Sequence, residues 1–302
     1  MSHDHAHEPA ALAGVGRAFA IGIVLNSAFV VVEVVFGFLS DSTALLADAT
    51  HNLTDVVGLG MAWAATVLAR RPPSDRHTYG IRRVTVLAAL ANALLLVAAV
   101  GAVAWEAVGR LRSPSDAHST TMMVVAGVGV VVNGASALLF LNRRRGDANL
   151  RGAFLHLAAD AAVSAGVIVA GLILWKTGWR WIDPAASLGI SVVILLGTWG
   201  LLRDSLHLAL DGVPKEIELS EVRTLLRALP GVQSIHDVHV WAMSTSEIAL
   251  TAHVVMPWSD CPPSFLANLE HELAERFGII HVTVQIDPPE SDDCARGATG
   301  AV

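Results

Sequence analysis

ALLADATHNLTDVVGL, residues 44–59, sits inside an apolar run from about 43 to 69 and carries Asp48, His51 and Asp55. About 20 consecutive apolar residues suffice for a helix to cross a bilayer, so this run is long enough to span. A charged side chain at the centre of such a helix costs about 2.5–3.5 kcal/mol on insertion scales. Residues placed there at that cost are functional candidates. Working outward, further apolar stretches lie roughly at 17–39, 83–110, 119–142, 150–175 and 181–203, giving six spans. Unpaired backbone groups are not tolerated in hydrocarbon, so the spans are read as helices. Ser40, Asp41 and Ser42 leave only a short connection, which makes the first two spans a tight hairpin. The composition agrees: 53% of the 302 residues are hydrophobic and 16% charged, with a mean hydropathy of +0.55. Lipid as solvent removes the need to hide that much apolar surface.

Arg70, Arg71, Arg76, Arg82 and Arg83 flank the loop between spans two and three, and Arg143, Arg144, Arg145 and Arg151 that between four and five. The opposite loops hold only Arg110 and Arg112, and Lys176 and Arg180. This bias puts both termini in the cytoplasm. MSHDHAHEPA at the start is acidic and His-rich, unlike a signal peptide. Past residue 205 the pattern changes. Asp211-Gly212-Val213-Pro214 ends the last span, and the order helix 219–231, strand 234–243, strand 247–257, helix 263–278, strand 279–287 follows. That is a small two-layer α+β domain. The expected domains are a His-rich tail 1–16, a transmembrane bundle 17–208, a C-terminal domain 209–288 and a disordered tail 289–302. Two cysteines, Cys261 and Cys294, make no disulfide framework and fit a reducing compartment. No concentrated basic domain points to nucleic acid.

The decisive pattern is a repeat. His51 and Asp55 are i and i+4 in span two, and in RGAFLHLAADAAVSAG, residues 151–166, His156 and Asp160 repeat that spacing in span five. Residues four apart share a helix face. Two facing helices thus offer two imidazoles and two carboxylates to one point, a set that suits tetrahedral Zn²⁺. An oxygen-only set would suggest Mg²⁺ or Mn²⁺. One such pair alone could be a hydrogen-bonded couple; four clustered groups in low dielectric call for a cation. No H-E-x-x-H motif signposts a zinc enzyme and no G-x-x-x-x-G-K-[ST] a nucleotide-driven pump.

The chain resembles the cation diffusion facilitator family, in particular its bacterial zinc-exporting branch. The resemblance covers nearly the whole chain through GFLSDSTALLADATHNLTD (37–55), RRPPSDRHTYGIRR (70–83), AFLHLAAD (153–160), HDVHVWAM (236–243) and VTVQID (282–287). It implies a homodimer in the bacterial inner membrane with six helices per subunit and a ferredoxin-like cytoplasmic domain. It implies a carrier rather than an enzyme: export of zinc, and also cadmium or cobalt, in exchange for protons by alternating access. His51, Asp55, His156 and Asp160 take the family's four transport-ligand positions.

Other family positions match less completely. In the loop Asp75 and His77 remain, but Ile81 stands where a second histidine would be, so His77 is read as a capping or hydrogen-bonding residue. In the C-terminal domain His236, His253 and Asp287 match ligand positions, Gln285 replaces a histidine, and His281 or His239 could complete the shell. Arg83 and Asp211 match a charged pair that joins the two parts of relatives. Glu33, Asp48 and Asn26 are assigned to packing or to the water-filled path. His3, His5 and His7 form a weakly metal-collecting tract, and Trp175, Trp179 and Trp181 an interfacial anchor.

Overall fold

The computed structural model describes Val24 and residues 27–113, 117–141 and 148–289. The His-rich tract, Asn26, the arginines at 143–145, Cys294 and the tail from 290 lie outside the described residues, as does most of the first half of the stretch 17–39. Among the described residues six helices come first: α1 (Ser27–Leu39), α2 (Thr43–Ala69), α3 (Val84–Arg112), α4 (Ser119–Leu141), α5 (Ala148–Thr177) and α6 (Ile182–Ala209). Five of them, α2 to α6, are long and apolar enough to cross a membrane, and α1 is shorter over its described residues. At 1.5 Å per residue the 27 residues of α2 extend about 40 Å, more than the hydrocarbon core requires.

The chain forms two compact units, and α2, α3 and α6 contribute residues to both. The first holds the described residues up to Gly60 together with Asn92–Gly200. Its buried apolar residues include Ala44 and Ala47 of α2, Val100 of α3, Met122 of α4 and Val167 of α5, mostly small or β-branched groups that let helices approach closely. Many large apolar side chains face outward instead, among them Trp105, Val131 and Leu196. In water such a surface would be an aggregation hazard; in lipid it is the expected exterior.

The α1–α2 turn is built for tightness. Asp41 takes a left-handed backbone (φ 52°), which aspartate tolerates better than most residues. Ser40 Oγ donates back to the Phe36 carbonyl at 2.6 Å. The first turn of α2 is capped from far along the chain. Asp183, at the start of α6 and buried, accepts hydrogen bonds from Ser42 Oγ (2.5 Å), Thr43 N (2.7 Å), Thr43 Oγ1 (2.7 Å) and Ala44 N (3.3 Å). A carboxylate at a helix N-terminus satisfies otherwise unpaired N–H groups and meets the positive end of the helix dipole. Gly129 of α4 marks another close approach: a Cβ there would lie 2.7 Å from Phe29 Cζ and 2.8 Å from Ser164 Oγ.

The second unit holds Met61–Ala91 and the described residues from Leu201 onward. Its α+β part runs α7 (Leu219–Ala228), β1 (Ser234–Ala242), β2 (Ile248–Val255), a 3-10 turn (Trp258–Asp260), α8 (Phe265–Phe277) and β3 (Ile279–Asp287). The sheet order is β1-β2-β3, with β1 antiparallel and β3 parallel to the central β2. A parallel return needs a crossover, and α8 supplies it. Val222, Leu225 and Leu226 of α7 and Phe265, Leu269 and Leu273 of α8 recur at helical spacing and are buried with Leu250, Ala252 and Val254 of β2. Gly278 ends α8 in the left-handed conformation (φ 66°), its N–H reaching the Ala274 carbonyl at 3.0 Å. The start of α3 is tied to this domain: Arg82 pairs with Glu247 at 2.8 Å, and Thr245 N donates to Thr85 Oγ1 at 3.0 Å.

Candidate metal centres

Helical spacing in α2 puts His51 above Asp55, and in α5 His156 above Asp160. The two pairs converge across the helices. His51 Nε2 lies 3.6 Å from Asp55 Oδ2 and 3.4 Å from Asp160 Oδ1. His156 Nε2 lies 3.2 Å from Asp55 Oδ2 and 3.6 Å from Asp160 Oδ2. The rings stand edge to face, 6.0 Å apart. One ligand atom each from His51, His156 and Asp160 falls within 4.8 Å of the other two. Asp55 Oδ2 lies within 3.6 Å of both imidazoles but is not in that mutual set.

Burial sharpens what this cluster can do. The Asp160 side chain is only 1% exposed, against 48% for His156. Both Asp160 oxygens, Asp55 Oδ2 and His51 Nδ1 are buried with no hydrogen-bond partner. A buried carboxylate left without donors is costly unless paired or bound to metal. Two imidazoles and two carboxylates are donor types that suit a tetrahedral Zn²⁺ ion.

Beside it are residues that sequence reading assigned to packing or to the path. Glu33 and Asp48 are fully buried; Asn52 Nδ2 donates to Glu33 Oε2 at 2.8 Å and Ser164 Oγ to Asp48 Oδ2 at 2.8 Å. These bonds tie α1 to α2 and α2 to α5, and the second joins the two helices that carry the His/Asp pairs. Asp183 was missed in the sequence. The signal was present: an aspartate opening span six, which can accept, and a Ser-Thr pair opening span two, whose hydroxyls and first-turn N–H groups can donate.

A second cluster lies at one end of the sheet. His236 on β1 and His253 on β2 are register partners, and Asp287 ends β3. Asp287 Oδ2 is 3.4 Å from His236 Nε2 and 2.9 Å from His253 Nδ1, while Gln285 Nε2 donates to Asp287 Oδ1 at 2.8 Å. Gln285 therefore occupies one oxygen and leaves the other aimed at both rings. The three residues offer atoms within 4.8 Å of one another. Burial alone would raise the Asp287 carboxyl, but the hydrogen bonds from Gln285 and His253 and the charges of His253 and His236 outweigh it and hold it below the usual range.

Two other histidines are placed differently from their expected role. His281 pairs with Ala249, four positions along β3 from the Gln285 that faces His253, or about 13 Å at 3.3 Å per residue. Its ring packs edge-on against Tyr79 at 5.2 Å instead. His239 gives its Nε2 to Asp237 Oδ1 at 2.9 Å and does not reach the three-residue cluster. In the loop, His77 N donates to the Ser74 carbonyl at 3.0 Å, and neither Asp75 nor His77 joins a metal-ligating cluster among the described residues. Arg83 Nη2 contacts Asp211 Oδ1 as an ion pair.

Fold and clusters together define a helical membrane protein with one imidazole–carboxylate centre among its apolar helices and another in a small α+β domain. Residues 19–208 match the family described as the cation efflux transmembrane domain, and residues 214–289 the cation efflux protein cytoplasmic domain. The chain belongs to the cation efflux family. Curated relatives agree over nearly their whole lengths. The cation efflux system protein CzcD of an Alcaligenes species is 39% identical over 98% of this chain and 92% of its own. The zinc transporter ZitB of Escherichia coli is 38% identical over 97% and 96%. The cadmium, cobalt and zinc/H(+)-K(+) antiporter of Bacillus velezensis is 33% identical over 95% and 92%.

Proposed function

We propose that this chain exports zinc, and with it cadmium or cobalt, from the bacterial cytoplasm across the inner membrane in exchange for protons. The observation that carries this reading is the convergence of Asp55 Oδ2 and both buried Asp160 oxygens on His51 Nε2 and His156 Nε2 at 3.2–3.6 Å. The ion binds His51, Asp55, His156 and Asp160 when the cavity faces the cytoplasm. Binding needs neutral imidazoles and ionised carboxylates, so it displaces protons. Histidine's reference pKa of about 6.5 lies near cellular pH, so a more acidic outer solution reprotonates the ligands and releases the ion. Its relatives include a zinc transporter and a metal/proton antiporter, which supports cargo and coupling.

The same reading takes the stretch 17–39 as a sixth span, with the bundle at 17–208, a ferredoxin-like domain at 209–288 and both termini cytoplasmic. The chain acts as a homodimer, as the match of residues 214–289 to the cation efflux protein cytoplasmic domain supports, and it is a carrier rather than an enzyme. In the C-terminal domain, His236, His253 and Asp287 fit a divalent ion by donor chemistry: two imidazoles and one carboxylate oxygen held in place by Gln285. An ion there cross-links the three strands. The Arg83–Asp211 pair couples the start of α3 to the end of α6.

Zinc flux into vesicles under an imposed pH gradient, followed with an internal zinc dye, tests the proposal. Wild-type protein gives gradient-dependent flux, and Asp55→Ala or Asp160→Ala abolishes it. Undiminished flux in either variant removes the site assignment, and no flux in the wild type removes the carrier function.

A further inference from the structure

Strand β1 is interrupted where the C-terminal cluster begins. His236 pairs with His253 and the next paired residue, His239, with Thr251, so β1 advances three residues while β2 advances two. That is a β-bulge, and Asp237 within it takes a left-handed backbone, φ 52°. In a regular strand, residues three apart point to opposite faces. The extra residue puts His236 and His239 on the same face, because their partners His253 and Thr251 are two apart. It also turns the Asp237 carboxylate to the far side of the His253 ring from Asp287. Asp237 Oδ2 is 3.8 Å from His253 Nε2, and Asp237 Oδ1 accepts from His239 Nε2 at 2.9 Å. The His253 imidazole thus lies between two carboxylates, one at each ring nitrogen: Asp287 at Nδ1 (2.9 Å) and Asp237 at Nε2.

A neutral imidazole has one N–H, and the nitrogen that binds a metal is the one without it. The hydrogen bond made by the other nitrogen decides which that is. We propose that Asp237 is a positioning residue for the C-terminal metal site: when an ion replaces the Nδ1–H that His253 donates to Asp287, the ring's proton sits on Nε2, and Asp237 accepts it there and so keeps the Nδ1 lone pair directed toward His236 and Asp287. This rests on the reading of His236, His253 and Asp287 as ligands. His239 has a role in the same arrangement, since its hydrogen bond holds the Asp237 carboxylate at the opposite oxygen. A side-chain rotation that shortens the Asp237–His253 separation by about 0.8 Å completes the hydrogen bond. The strained conformation fits this assignment, because backbone held in sparsely populated regions persists where the surroundings over-determine it. His239, which sequence reading offered as a ligand, becomes the outermost member of a carboxylate–imidazole relay.

The test uses full-length protein in detergent carrying Asp55→Ala and Asp160→Ala, so that the membrane centre does not contribute. Cobalt(II) is the probe, titrated in competition with a chromophoric chelator while its visible ligand-field bands are recorded. Asp237→Asn keeps the size and tolerates the left-handed backbone, but cannot hold the charge that favours Nε2–H. It is expected to weaken cobalt binding about 10–100-fold while leaving the band positions of the bound ion unchanged. Asp237→Gly relieves the backbone and is expected to lose the same affinity without losing thermal stability. Asp237→Glu, able to reach the same ring, recovers part of the affinity. Wild-type affinity in both Asp237→Asn and Asp237→Gly overturns the proposal. Shifted bands in Asp237→Asn overturn it in favour of direct ligation. Asp287→Ala is the separate control: unchanged binding there overturns the ligand reading itself, whatever Asp237 does.

Discussion

Replacing Asp183 by asparagine removes one charge and almost no volume, yet it should destabilise the membrane unit strongly. The carboxylate accepts four hydrogen bonds from the first turn of α2: from Ser42 Oγ at 2.5 Å, Thr43 N and Oγ1 at 2.7 Å each, and Ala44 N at 3.3 Å. An asparagine offers one oxygen and turns an NH₂ group toward the donors of the other. The backbone N–H bond on that side is lost outright, the hydroxyl there must turn to accept, and hydrogen bonds to a charged group contribute about 1.5–3 kcal/mol each. The missing negative charge at the helix N-terminus costs about 0.5 kcal/mol more. Even a loss of about 3 kcal/mol lowers the melting temperature by about 6–12 °C at about 2–4 °C per kcal/mol. Thermal unfolding of detergent-solubilised protein at neutral pH, followed by near-ultraviolet circular dichroism, measures it. Thr43→Val removes one donor and should cost about 1 kcal/mol in the wild type but less beside Asp183→Asn, because the two share a partner. A melting temperature for Asp183→Asn within about 1 °C of wild type would show that these bonds do not hold α2.

Three further outcomes follow from the same geometry. Reversing Arg83 to Glu or Asp211 to Arg should lower zinc flux with little change in melting temperature, since both side chains are substantially exposed and such pairs contribute under about 1 kcal/mol; the double reversal should restore flux, and failure to do so counts against coupling. Asp287 titrates below its unfolded value, so its stabilisation is present above about pH 3.9 and is lost as pH falls through its lower folded value. Acid titration of β-sheet signal in the full chain should therefore steepen below about pH 4, and Asp287→Asn should flatten that slope; an unchanged slope refutes the assignment. Gly129→Val puts carbon into space held by Phe29 and Ser164 and should cost about 1–3 kcal/mol by overpacking, seen as a lowered melting temperature. A neutral substitution would mean that α4 can move away freely.

Much of this molecule can be read from local sequence because its main signals are local. Hydropathy located α2 to α6: the stretch at 43–69 is α2, Thr43–Ala69, and 181–203 overlaps α6, Ile182–Ala209, which runs six residues further. The i,i+4 pairs carried the membrane centre, since helical periodicity fixes which residues share a face. What stayed hidden depends on long-range pairing. Asp183 caps a helix 140 residues earlier in the chain. His281 looks as available as His236 in sequence, but sheet register sets it four residues from the position facing His253. Asp237 reads as one more alternating residue until the bulge turns it toward His253.

The most direct test is zinc X-ray absorption on full-length protein carrying His236→Ala and Asp287→Ala, which leaves the membrane centre as the zinc site. The four-ligand assignment predicts a four-coordinate ion with two imidazole nitrogens and two carboxylate oxygens at about 2.0–2.2 Å, lost when Asp160→Ala is added. An oxygen-only, six-coordinate spectrum, or zinc retained in full without Asp160, would contradict it.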